Sequence, residues 1–150
     1  MGEGNLELFF AVDLLKQHYD IESEVQSTCF PPTKNSLIHA QECEFKWQDS
    51  RGQYVGLKVS QRIIKNPTIF QQQIQQFEKA LQNPAMADQL QAMDLCTEAK
   101  TFLQIPDLRY TIYAKDSIVF SISHSRRMFP NAALRDGVQK QSEAFLRELF

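Results

Sequence analysis

The chain has 150 residues, 43% of them apolar and 23% charged, with sixteen basic and eighteen acidic side chains and a net charge of −2. That length supports one core burying roughly 70% of the unfolded surface, and the composition excludes wholesale disorder and fibrous classes. The charge balance argues against coating nucleic acid by bulk electrostatics and leaves only a local basic patch open.

No apolar stretch reaches about eighteen residues, so no membrane-spanning helix is expected. The start, Met1-Gly2-Glu3-Gly4-Asn5, lacks the basic region of a secretory signal, and Gly2 lacks the downstream Ser or Thr that myristoylation prefers. Cys29, Cys43 and Cys96 are odd in number and lack CxxC spacing. They predict free thiols in a reducing, cytoplasmic setting.

Residues 5–19 predict a helix capped by Asn5, with Leu8, Val12, Leu15 and Tyr19 at helical spacing and Phe9, Phe10 and Leu14 widening its apolar face. Residues 22–30 predict a weak edge strand that Phe30-Pro31-Pro32 ends. From Leu37 the period becomes two. Leu37, Cys43, Phe45 and Trp47 share one face; Glu42, Glu44 and Lys46 share the other. Val55, Leu57 and Val59 alternate after Gly52, which predicts an antiparallel hairpin.

Asn66-Pro67 opens a helix by the cap-then-proline rule, and Phe70, Ile74, Phe77 and Leu81 form its stripe. Its outer face is glutamine: Gln71, Gln72, Gln73, Gln75 and Gln76. Asn83-Pro84 repeats the start signal, and Met86, Leu90 and Met93 predict a second helix running to Ile105-Pro106. Leu108, Tyr110 and Ile112, then Ile118, Phe120 and Ile122, predict a second hairpin. Asn131 caps a last helix bearing Leu134, Val138, Phe145 and Leu149. The predicted order is α-β-β-β-α-α-β-β-α. It defines a single α+β domain over residues 1–150: a mostly antiparallel sheet of two hairpins and a weak edge strand, with helices packed on one face.

The five glycines are scattered, and no phosphate loop, dinucleotide fingerprint, HExxH, GxSxG or EF-hand loop occurs. No catalytic residue and no cofactor is expected. Cys29, His39 and Cys43 are soft donors, but their spacing is loose and a fourth ligand is missing, so no metal is expected. Glu42, Glu44 and Lys46 could hold Mg²⁺ at a cleaved phosphate, or form a solvated face with cross-strand charge pairs. A helix, three strands and a helix also looks like the core order of restriction-endonuclease-like nucleases. In that family an acid and a lysine sit two apart on the third strand; this chain offers Gly56 and Lys58 there. Arg126, Arg127 and Phe129 follow a strand end, where basic residues beside an aromatic can grip a phosphate and stack a base.

Eleven phenylalanines, with Phe9 and Phe10 near one end and Phe145, Leu149 and Phe150 at the other, give the terminal helices much apolar surface. Clustered apolar surface marks partner sites. The leading expectation is therefore a non-catalytic interaction protein, an adaptor, assembly factor or chaperone, that forms a homodimer or clasps a partner protein through those five residues. The element order is similar to that of class I chaperones of bacterial type III secretion, which implies a small, acidic, cytosolic dimer. The alternative is a nucleic-acid-acting protein, either an RNA-binding module using Arg126, Arg127 and Phe129 or a nuclease using Glu42, Glu44 and Lys46.

Overall fold

Alternation of apolar and polar residues makes the long hairpin, as the sequence predicts, and the rest of the sheet grows on it. The computed structural model describes residues 12–95 and 98–149. Three helices and eight strands are among them: α1 (Val12–His18), β1 (Gln26–Cys29), β2 (Thr33–Lys34), β3 (Ile38–Gln48), β4 (Tyr54–Ile64), α2 (Pro67–Leu81), β5 (Leu90–Met93), β6 (Lys100–Gln104), β7 (Arg109–Tyr113), β8 (Ile118–His124) and α3 (Ala132–Leu149). Every strand pair is antiparallel, in the order β1-β3-β4-β8-β7-β6-β5, with β2 also on β3. The domain is α+β with an antiparallel sheet, as predicted.

β3 and β4 meet at a turn where Gly52 takes a φ of 76°, the left-handed region glycine adopts without steric cost. The Asp49 carboxylate accepts the backbone N–H groups of Arg51 and Gln53 at 2.9 and 3.0 Å, which tightens that turn. Cys43, Phe45, Trp47, Val55, Leu57 and Val59 are buried on one sheet face. Phe120 and Ile122 of β8 and Tyr110 and Ile112 of β7 extend this layer. α1 and α3 cover it. Leu15, Tyr19, Val138, Phe145 and Leu146 are their buried contributions. Leu37 and Leu134, expected inside, are exposed: Leu37 precedes the strand, and the buried face of α3 is rotated toward Ser142 and Leu146.

Helix α2 starts as its sequence dictates. The Asn66 side chain accepts the Thr68 N–H at 2.9 Å and Pro67 occupies the first turn. It packs on the opposite sheet face, where Phe70 and Ile74 meet Ile64, Phe102, Tyr113 and Val119. Phe77 stacks on Phe102 at a centroid distance of 4.8 Å. The helices therefore lie on both faces rather than one, because β6, β7 and β8 are apolar on both sides: Leu103, Ile112 and Phe120 face α1 and α3, and Phe102, Tyr113 and Val119 face α2.

The second helix of the predicted pair does not form. Asn83 does cap a turn, accepting the Ala85 N–H at 3.0 Å, but the turn spans only Pro84–Met86. The chain then enters β5 and β6. A helix there would leave the outer edge of β7 without hydrogen-bond partners, and Thr101-Phe102-Leu103 is a buried run that suits a central strand.

The edge strand is stapled. Cys29 and Cys43 stand opposite each other across β1 and β3 and form a disulfide closing a separation of 14 residues. This corrects the free-thiol expectation for that pair; register, which spacing does not reveal, decides it. Cys96 lies outside the described residues. Replacing Cys29 and Cys43 together by serine should lower stability by roughly 2–3 kcal/mol through the freed chain entropy of the unfolded state. A urea midpoint equal to that of the oxidised protein would show that the staple adds nothing. Among the described residues, no helix is long and apolar enough to cross a membrane.

Candidate functional site

α2 covers only part of its sheet face. The remainder, carried by β3, β4, β8 and β7, stays open and holds a cleft of about 750 Å³. Its floor is set by register. Glu44 on β3 stands opposite Lys58 on β4, which stands opposite Ser123 on β8. Arg109 at the start of β7 adjoins Ser123 on the same face. Lys46 stands opposite Gly56 in the neighbouring row. The turn Arg126–Met128 after β8 brings Arg126 and Arg127 to the rim. Arg51 fixes that turn by donating to the Arg127 carbonyl at 2.6 Å while pairing with Asp49 at 2.7 Å.

Five cations thus converge from β3, β4, β7 and one turn. Two carboxylates answer them. Glu44 reaches Lys58 at 3.5 Å and Lys46 at 3.9 Å, and Asp107 reaches Arg126 at 2.8 Å. Both lysines and Arg126 are well exposed, so these pairs are weak and exchange with water. Arg109 donates from Nε to Ser121 Oγ at 3.2 Å. Burial raises the Tyr113 phenol above its ordinary pKa, and Arg62 and Arg109 oppose the shift. Arg62 lines a second cavity of about 510 Å³ beside α2, and Asp107 borders both spaces.

The predicted site residues divide sharply. Arg126 and Arg127 lie on the cleft, and Glu44 and Lys46 line it. Glu42 is exposed two residues along from Glu44. Among the described residues no three His, Cys, Asp or Glu side chains converge as metal ligands, and Cys29 and Cys43 are bonded to each other rather than presented with His39. Phe129 is buried, with the Arg135 guanidinium 5.3 Å over its ring, and offers no face to a base. Phe145 is 0% exposed, and Leu149 is half-buried against the core. Phe145 serves the protomer's own interior, which corrects its assignment to a partner surface: α1 and the sheet supply the cover that helical spacing alone does not disclose, while Leu149 keeps part of its side chain exposed. Phe9, Phe10 and Phe150 lie outside the described residues.

A Ser–His pair exists beneath the sheet. The His124 ring meets the Leu108 carbonyl at 2.7 Å through Nδ1, so Nδ1 carries the hydrogen and Nε2 accepts from Tyr19 Oη at 2.7 Å. Ser142 Oγ is 2.9 Å from the same Nε2 and donates to the Val138 carbonyl at 2.6 Å. Burial holds the His124 pKa down at about 4, the hydrogen bond to Leu108 opposing it, so the ring is neutral. Burial likewise raises the Tyr19 phenol well above its usual range. Ser142 is 0% exposed and its hydroxyl is committed to its own helix. The arrangement ties α1, α3 and β8 together, and all three side chains are buried.

Sequence reading missed Tyr54, Ser123 and Ser125 as cleft residues. Alternation places Tyr54 on the outer face, since Val55 faces the core, and that was the available signal. No protein-family model matches the chain, and no curated protein or solved structure matches it.

Proposed function

We propose that the protein is a non-catalytic binding module that takes an anionic macromolecule on the open half of its sheet. The supporting observation is the meeting of Lys46, Lys58, Arg109, Arg126 and Arg127 around one cleft in a chain whose net charge is −2. Positive charge gathered on one face of an acidic protein steers an anionic partner there and away from the rest of the surface. Exposed, water-exchanging cations suit a repeating anion better than one buried ion.

The reading moves the interaction surface from the terminal helices to the sheet. It keeps the adaptor or chaperone class and a cytoplasmic setting as proposals, and a homodimer through the terminal segments remains part of them. The Cys29–Cys43 disulfide favours an oxidising compartment and so tests the setting: a cytoplasmic chain alkylated before lysis should carry both residues as thiols, and a retained disulfide overturns that setting.

The binding test uses heparin as a generic polyanion. Fluorescence anisotropy should show binding at low salt that weakens steeply as salt rises. Lys58→Ala combined with Arg109→Ala should cost on the order of tenfold per charge removed. Lys115→Ala, on the exposed turn paired with Glu98, should change little. Absence of binding at low salt overturns the proposal, as does an unaltered affinity in the double variant.

A further inference from the structure

Resting on that reading of the cleft, we infer that its occupant is a single-stranded nucleic acid, with a base seated on Tyr54 and the backbone laid across Lys58 and Arg109.

Tyr54 is 62% exposed, a large ring left in water at the edge of the cationic cleft. It begins β4 and shares the open face with Gly56 and Lys58 at a period of two. At Gly56 the strands β3 and β4 approach closely, and the stem of Lys46 lies against that position. Glycine is required there, because a Cβ would stand 2.5 Å from the Phe45 carbonyl oxygen and 3.2 Å from Lys46 Cγ. The strand is tied to Ser125 at this point, as Gly56 N–H donates to Ser125 Oγ at 3.2 Å and Ser125 N–H donates to the Gly56 carbonyl at 2.9 Å. The exposed Tyr54 ring thus stands on the cleft beside the Lys46 side chain, where a planar base can stack on its free face.

The charges run in a line from this seat. Lys58, Ser123 and Arg109 occupy successive strands on one face, so the two cations stand about two strand spacings, on the order of 10 Å, apart. Arg126 and Arg127 continue along the rim. A row of cations beside an exposed aromatic is the arrangement that binds a strand whose phosphates repeat and whose bases are free to stack. A duplex keeps its bases paired and cannot use Tyr54. An acidic peptide satisfies the cations and leaves the ring idle.

Anisotropy titrations of the full chain would use a labelled twelve-nucleotide oligo(U), the same length of oligo(dT), a duplex, and polyglutamate. The expected result is that both single strands bind more tightly than duplex or polyglutamate. Tyr54→Ala should weaken oligo(U) about tenfold, the size of one base–aromatic stack, with the salt slope unchanged. Tyr54→Phe should restore most of the affinity. Lys58→Ala should reduce the salt slope by about 0.7, the contribution of one single-strand phosphate. Far-UV circular dichroism of each variant checks that the exposed substitution leaves the fold intact. Equal binding of polyglutamate with Tyr54→Ala silent overturns this inference and leaves the anionic cleft standing. Equal duplex binding with Tyr54→Ala silent overturns it in the same way. Failure of every polyanion, heparin included, overturns both.

Discussion

Phe145→Ala should destabilise the protein by about 3–5 kcal/mol, the range for removing a phenyl ring from a packed interior. Phe145 is fully buried, with the Tyr19 ring 5.9 Å away and the His18 ring against it edge-on at the same centroid distance. α1 contributes seven described helical residues, too few to persist without the surface it covers. Losing the ring therefore opens a cavity at the point where α1, α3 and the sheet meet. Urea unfolding followed by Trp47, the single tryptophan and itself buried, reads the change directly. The outcome also separates two roles. A side chain kept for a partner would leave the protomer's stability untouched and alter only association. An unchanged midpoint with altered sedimentation would return Phe145 to an interface.

Acidification should weaken the fold by about 3 kcal/mol between neutral pH and pH 4, and His124 is the cause. Burial lowers its folded-state pKa to about 4, against 6.5 for the free side chain. The unfolded chain therefore binds the proton first as pH falls. Stability from this group is complete above 6.5 and declines through the window down to 4, where folded and unfolded forms are both protonated. The charged ring would also oppose the Tyr19 hydroxyl, which donates to Nε2 only while that nitrogen is bare. Urea midpoints at pH 7, 6, 5 and 4 give the profile. His124→Gln should be less stable at pH 7 and should lose markedly less than the native protein across this range. Parallel profiles for the two proteins would show that His124 is not held neutral in the core.

The cleft and the buried network illustrate different limits on reading a linear chain. Arg126 and Arg127 were recognisable as a basic pair after a strand, and Glu44 and Lys46 as polar positions on an alternating one. Their membership in one site was not, because Lys46, Lys58, Arg109 and Arg126 come from three strands and a turn spread over 80 residues. Phe129 adjoins the two arginines in sequence yet turns inward, and Tyr54, far from them in sequence, supplies the exposed ring. Proximity along the chain was the wrong guide to which aromatic faces solvent. The Tyr19–His124–Ser142 cluster gave no local signal, since each member is an ordinary residue until three elements close around it.

Local chemistry by itself determined the two hairpins, the entry to α2 at Asn66-Pro67, the cap at Asn131 and the antiparallel α+β class, since alternation, caps and turn glycines act within a few residues. Tertiary structure alone decided that residues 90–104 are strands, that helices cover both sheet faces, that Cys29 meets Cys43, and that Phe145 lies inside while Tyr54 lies out. The physical reason is that short two-sided strands and cross-strand pairs draw their stability from neighbours distant in sequence. Strand register, set by burial of the whole face, selects those neighbours.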